Sequence, residues 1–300
     1  MPVPLGELER VTECVRRIPD SYRQYSVPAA KARSFFRIPP DVLEGLLDLG
    51  LPRGAGGNDM TFDEHDLKSI VFLLRLPSPQ LIAFRAMSDA LERSATGLPA
   101  RRTVNIQARC PNPGHEGPCD FELSAKAKRH PDVTEIRRVD PRHFAVELLL
   151  PGRDPTYFCF TPEQEQLARE VRRMEFLYIP FDLNDDLAFL ADSGLADCRL
   201  ATHFLYTRGR ELGVPVRRAA GLFLSKPFSN RHFWVEFKHE GQWLPADPFF
   251  LPVLQRLGML DGSRWPQHRS PLDALWKLDA DPDKPLITHR AGAPASYLTR

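Results

Sequence analysis

The 300-residue sequence is short of cysteine, of net charge and of long apolar runs, and each shortage removes a class of explanation. Five cysteines is an odd number, so at least one thiol lacks an intramolecular partner, and a disulfide framework does not account for the chain. A net charge of +1 leaves no electrostatic footprint for nucleic acid or an anionic membrane surface. No stretch approaches the ~20 apolar residues needed to cross a bilayer. The opening "MPVPLGELER" also lacks a basic segment followed by an apolar one. The expectation is a cytoplasmic protein with neither nucleic acid nor membrane among its partners. Internal repeats and low-complexity tracts are missing too. What is present is ordinary for a folded chain: 42% hydrophobic and 26% charged residues, enough for a sizeable core in one or two domains.

Residues 1–100 read as a mainly helical region. In "FFRIPPDVLEGLLDLGLP" the double proline opens a helix with Val42, Leu43, Leu46, Leu47 and Leu49 on its apolar side. "TFDEHDLKSIVFLLRL" starts another, with acidic residues in its first turn. The texture changes over 101–160, where "TVNIQA", "CDFELSA", "HFAVELLL" and "TYFCF" read as short strands between prolines and glycines. In "TPEQEQLAREVRRMEFLY", Thr161, Pro162 and Gln164 form a capping box, and Leu167, Val171 and Met174 form a buried stripe. Beyond residue 251 the expectation is helix and proline-rich coil.

The stretch "GLADCRLATHFLYTRGRELGVPVR" carries the chemistry. Leu200, Phe204, Leu205 and Leu212 predict a helix over 198–212, ended by Gly213 and Pro215. Cys198 then opens that helix, at the positive end of its dipole, where a thiolate is expected to be favoured. Asp197 reads as the N-cap and His203 as a structural residue within the helix. A thiol nucleophile needs a base, and the base needs a third group to orient it. "RHFWVEF" supplies His232 on a strand whose same face carries Trp234 and Glu236. "GQWLPADPFF" supplies Asp247, brought roughly level with His232 by a turn near Glu240 and Gly241. Trp234 and Trp243 read mainly as hairpin packing, with Trp234 a candidate for lining a substrate pocket.

"ADC" at a helix start, "LGVPVRRAAGLFL", "HFWVEF" and "GQWLPADPFF", in that order over about 190–250, resemble the transglutaminase-like superfamily of cysteine enzymes. The resemblance implies an α+β fold of the papain-like kind, with the cysteine helix packed on an antiparallel sheet, inside a catalytic region spanning 101–300. It implies Cys198 as nucleophile, His232 as base and then acid, and Asp247 as the group that fixes the imidazole. It also implies an upstream side chain in the oxyanion hole, for which Asn184 and Tyr178 are the candidates. "FDLNDD" reads equally well as a loop that caps the next helix. Arylamine acetyltransferases share the triad, but their Arg-Gly-Gly-x-Cys signature is replaced here by "GLADC".

The implied reaction is acyl transfer through a Cys198 thioester, with a small-molecule or peptide acyl donor and an amine acceptor. One version takes its acyl or aminoacyl group from a carrier protein. The alternatives are a cysteine peptidase or amidohydrolase, and a non-catalytic binding protein that keeps the fold. No cofactor is expected. Cys110, His115 and Cys119 in "RCPNPGHEGPCDF" are soft ligands that zinc could use, with Cys159 or His130 as a fourth. The paired CxxC spacing that usually marks such sites is missing.

Overall fold

Proline or a small polar cap sets the start of each described α-helix except the last, which begins at Phe249. The computed structural model describes residues 3–56, 59–279, 281, 283–290 and 292–299. The N-terminal region contains α1 (Leu5–Arg16), β1 (Tyr25–Pro28), α2 (Ala29–Ser34), α3 (Pro40–Asp48), β2 (Gly54–Gly56), β3 (Asp59–Asp63), α4 (Glu64–Leu73) and α5 (Pro79–Ser94). Pro39 caps α3 and Pro40 begins it, as the double proline predicts. Asp63 accepts hydrogen bonds from the backbone N–H groups of His65 and Asp66 and so starts α4. Ser78 does the same for α5 through the N–H of Leu81. The region is mainly helical, but β1, β3 and β2 add a small antiparallel sheet that the sequence pattern does not announce.

The central part contains β4 (Ala100–Arg109), β5 (Phe121–Leu123), α6 (Ala125–Lys128), β6 (Val133–Asp140) and β7 (His143–Leu150). There follow α7 (Pro162–Arg172), β8 (Glu175–Phe176), α8 (Leu187–Ser193), β9 (Leu195–Ala196) and α9 (Cys198–Glu211). The remainder is β10 (Val216–Phe223), β11 (Asn230–His239), β12 (Gln242–Ala246), α10 (Phe250–Arg256), β13 (Leu275–Asp279), β14 (Ile287–His289), β15 (Ala293–Pro294) and β16 (Ser296–Thr299). The Thr161–Gln164 capping box forms at α7 in both directions, at 3.0 and 3.3 Å.

Two larger antiparallel sheets result, in the orders β12-β11-β10-β13 and β16-β4-β7-β6. A smaller one runs β15-β14-β5. The first sheet carries α9 across β10 and β11. Gly209 in α9 permits this approach, because a Cβ there would meet Val216 Cγ1 at 2.8 Å and Leu167 Cδ1 of α7 at 3.3 Å. The fold is mixed helix and antiparallel sheet, as the α+β expectation has it.

The hydrophobic core does not follow chain order. Leu8, Phe36, Leu67 and Leu91 of the N-terminal helical region share one cluster with Leu200, Trp234 and Phe250 of the region that holds the site. A second cluster joins Val104, Ile106, Phe121 and Val146 to Trp276, Ile287 and Ala295. Two expectations from local pattern fail. "TYFCF" is not a strand: Tyr157 makes only an isolated bridge to Arg269. The region past 251 is not helix and coil alone, since β13–β16 each add an edge or neighbour to sheets begun earlier in the chain. Such pairings give a strand its stability from distant residues, so short runs like "ITH" carry no local signature. Among the described residues no helix is long and apolar enough to cross a membrane.

Candidate active site

The helix that presents Cys198 begins where predicted. Asp197 is its N-cap, its carboxylate accepting the N–H groups of Arg199 and Leu200 at 2.9 Å each. Leu200, Ala201 and Leu205 bury one face, and Gly213 (φ +71°) with Pro215 ends the helix. The hairpin β11–β12 turns at Glu240 and Gly241, both with positive φ (47° and 84°), the conformation a two-residue hairpin loop needs.

That hairpin brings His232 and Asp247 together. His232 Nε2 lies 2.6 Å from Asp247 Oδ2. The register pairs Val235 with Ala246, so Asp247, just past the end of β12, is level with Trp234 and diagonal to His232. A diagonal neighbour on the same face is still within reach of an imidazole. The second oxygen, Oδ1, accepts the Phe250 N–H at 3.0 Å, so the start of α10 holds the carboxylate in place. With Nε2 engaged, Nδ1 is the ring nitrogen left to act as base.

The imidazole is caged as well as bonded. Trp234 stacks on it (centroids 6.1 Å, interplanar angle 17°), and Phe250 and Phe223 flank it at 4.8 and 5.4 Å. His232 is 1% exposed and so is Trp234. Trp234 therefore supports His232 from behind and has no accessible surface with which to line a pocket. Gly221, directly opposite His232 on β10, has no room for a side chain: a Cβ there would stand 2.0 Å from the Trp276 carbonyl and 2.9 Å from the Trp234 ring.

The electrostatics of Cys198 differ from the sequence expectation. Burial raises the thiol well above its ordinary range, the neighbouring Asp197 and then Asp247 add to this, and only backbone groups, chiefly the Phe233 N–H, oppose it. The cap that starts the helix thus places a carboxylate beside the sulfur, second only to burial in raising the thiol. Burial also raises Asp197 itself, to about 6, despite its two backbone hydrogen bonds. Among the described residues no hydrogen bond joins Cys198 Sγ to the imidazole; the side chain sits at the Phe233 backbone next to it in the strand. Burial and neighbouring carboxylates therefore disfavour the Cys198 thiolate, the reverse of what its place at a helix start suggests.

Of the two upstream candidates, Tyr178 lies close to Cys198, whereas among the described residues Asn184 is tied to the site only through its neighbour Asp185, which pairs with Arg199. Burial raises the Tyr178 hydroxyl, with Cys198 close enough to raise it further. Its backbone is clamped by Ser69 of α4, whose Oγ donates to the Tyr178 carbonyl (3.2 Å) and accepts its N–H (3.1 Å). The N-terminal region thereby buttresses the site. Asn184 is buried, and its Oδ1 has no hydrogen-bond partner. The loop around it does cap the next helix, through Asp186 and the N–H groups of Ala188 and Phe189.

Sequence reasoning passed over Arg199, the residue after the cysteine. It is buried, pairs with Asp185 of the Asn184 loop and with Asp283 (2.9 Å), and lies over the Phe181 ring at 5.1 Å. It ties two loops to the start of α9, and its only local signal is its adjacency to Cys198. His203 lies mid-helix with Nδ1 3.5 Å from Arg218, away from the His232–Asp247 pair.

A cleft of about 770 Å³ opens at Tyr178 and runs over Ile82, Phe228, Leu286 and Tyr297. Cys198 and His232 do not line it, but Tyr178 both lines it and lies close to Cys198. Cys110, His115 and Cys119 belong to the connection between β4 and β5, with Cys110 and Cys119 packed against the second core.

Residues 162–248, which include Cys198, His232 and Asp247, match the model of the family described as the transglutaminase-like superfamily. No curated protein matches the sequence. A solved structure from Cytophaga hutchinsonii, of a protein proposed to be a cysteine protease, is similar at 13% identity and a TM-score of 0.30. The similarity covers 67% of this chain and 82% of that one, and is too distant to bear on the site. The segment that carries a helix-initiating cysteine and a histidine–aspartate hairpin has a transglutaminase-like fold, one that supports cysteine-dependent catalysis.

Proposed function

We propose that this protein transfers an acyl or aminoacyl group from a small-molecule, peptide or carrier-bound donor to an amine, through a thioester on Cys198. The observation that carries the reading is the buried His232–Asp247 pair at 2.6 Å, which frees Nδ1 for proton transfer beside the helix that Cys198 opens.

Cys198 gives its proton to His232 Nδ1 as sulfur attacks the donor carbonyl, forming a C–S bond and an oxyanion. The imidazolium is stabilised by the Asp247 carboxylate. Tyr178 and Asn184 are the side chains proposed to donate to the oxyanion, Tyr178 through its hydroxyl and Asn184 through its amide N–H₂. The tetrahedral species collapses, His232 protonates the leaving amine or thiol, and a thioester remains. An acceptor amine then loses a proton to His232 while attacking the thioester. The Cys198 sulfur leaves and takes that proton back, and the product is an amide.

Transfer to an amine is favoured over hydrolysis by access. His232 is buried and Cys198 is partly so, which limits bulk water, while the cleft beyond Tyr178 offers apolar surface for an organic group. The test is intact-mass analysis of wild type and Cys198→Ala after exposure to a panel of amino-acyl thioesters and peptides. An acyl adduct restricted to the wild type, discharged faster by added amine than by water, supports the proposal. Discharge to free acid regardless of amine identifies a hydrolase instead. Turnover that survives Cys198→Ala overturns both.

A further inference from the structure

Among the described residues, one group of metal-ligating side chains lies outside the triad. The ligand atoms of Cys110, His115, Cys119 and His289 all fall within 4.8 Å of one another. We propose that these four residues form a structural zinc site, Cys₂His₂ in composition. The fourth ligand is His289, 170 positions beyond Cys119, and not Cys159 or His130.

Local chemistry prepares each ligand. Cys110 follows the end of β4, and Cys119 stands two residues before β5. The loop between them turns at Gly114 (φ +94°) and Gly117 (φ +75°), backbone states that side chains rarely adopt. His115 Nδ1 lies 3.0 Å from the Glu116 carbonyl, so Nδ1 carries the proton and Nε2 presents its lone pair. Nε2 is 3.5 Å from Cys119 Sγ, which matches the ~3.5 Å separation of sulfur and nitrogen on a tetrahedral zinc with ordinary bond lengths.

His289 supplies the independent observation. It ends β14, opposite Phe121 of β5, and is 4% exposed, yet its Nε2 has no hydrogen-bond partner. A buried ring nitrogen left in this state is costly, and a metal ion in the cluster satisfies it. The neighbouring Arg290 fastens the loop by donating to the carbonyls of Glu116 (2.6 Å) and Pro118 (2.7 Å). Arg142 Nη2 donates a hydrogen bond to Cys119 Sγ at 3.7 Å and helps hold that side chain in the cluster.

Two thiolates and two imidazoles are the donor set of a closed, four-coordinate zinc site. Binding forms four metal–ligand bonds and releases two protons, one from each thiol. The ion would join the β4–β5 loop to β14. The segments on either side of β14 carry Leu286 and Tyr297, which wall the apolar cleft. The role is therefore to fasten the strand that shapes the cleft, independently of any chemistry at Cys198.

The experiment uses full-length protein, reduced and stripped with chelator, then titrated with zinc against a chromophoric competitor. The expected result is one zinc per chain with release of two protons. Cobalt in its place is expected to show tetrahedral d–d bands and a thiolate charge-transfer band. His289→Ala and Cys119→Ser should weaken binding by more than the ~10–100-fold typical of disturbing an outer-shell partner. Cys159→Ser, His130→Ala and Cys198→Ala should bind as wild type does. Should His289→Ala fail to fold, His289→Cys keeps a ligand there and is expected to strengthen the thiolate charge-transfer band by about half, which a site built on His130 would not show. The proposal is overturned if the stripped wild type binds no zinc tightly, if cobalt lacks the tetrahedral thiolate spectrum, or if His289→Ala retains full affinity.

Discussion

Replacing Asp247 with asparagine removes one charge and leaves the site one hydrogen-bond acceptor short. In the native site Oδ2 accepts from His232 Nε2 at 2.6 Å and Oδ1 accepts from the Phe250 N–H at 3.0 Å. An amide has only one oxygen to meet both donors. If that oxygen faces His232, the amide N–H₂ is set against the Phe250 N–H, at a cost of about 1–3 kcal/mol for the unmet buried donor. If the amide flips, its N–H₂ faces Nε2 and forces the proton onto Nδ1, which then cannot accept one from Cys198. In either orientation the imidazolium loses its counter-charge, worth up to ~4 kcal/mol at ~4 Å between charge centres and an effective dielectric near 20. A net loss of about 3–5 kcal/mol corresponds to a roughly 10²–10⁴-fold slower acylation. The assay is single-turnover formation of the acyl-enzyme, followed by intact mass, with thermal melting run alongside. Acylation within about threefold of wild type, with unchanged melting, would refute the role assigned to Asp247.

Four further outcomes follow from the same geometry. Asp197→Asn keeps a good N-cap but removes the carboxylate beside Cys198, so iodoacetamide labelling of Cys198 should shift to lower pH; an unchanged labelling profile counts against Asp197 as a cause of the raised thiol. The carboxyl of Asp197 is raised from 3.8 to about 6 in the folded state, so its contribution to stability is full below pH 3.8 and is lost as pH rises through 6. Melting temperatures across that window should flatten in Asp197→Asn. Gly221→Ala drives a methyl group into the Trp276 carbonyl and the Trp234 ring, and should destabilise by about 1–3 kcal/mol while loosening His232, read by denaturant midpoint and acylation rate together. Arg199→Ala frees the Asn184 loop and Asp283; because both partner carboxylates are partly exposed, about 1 kcal/mol of stability should go. Acylation should slow more than melting falls, and equal losses would make Arg199 merely structural.

The local parts of the site were readable in one dimension because their physics is local. A cap, a proline and a left-handed glycine bound the Cys198 helix within a few residues, and a two-residue turn defines the hairpin that carries His232 and Asp247. The capping box at Thr161 is legible for the same reason. Other features have no local signature. Arg199 matters only through Asp185 and Asp283, which other loops supply. The strands after residue 275 exist because β10, β5 and β4 offer edges to them, so their own sequences resemble coil.

Residue order alone thus determined which side chains could act, and that a thiol, an imidazole and a carboxylate stood on elements able to meet. Tertiary packing decided how they behave. It placed Asp247 on the diagonal and shut His232 behind Trp234. It set Cys198 beside Asp197, so that desolvation and a carboxylate raise the thiol above its ordinary range, and it carried His289 across the chain to three residues of a distant loop. The physical reason is that hydrogen-bond geometry at helix and turn ends depends on neighbours in sequence, whereas desolvation depends on everything that closes around a group in space.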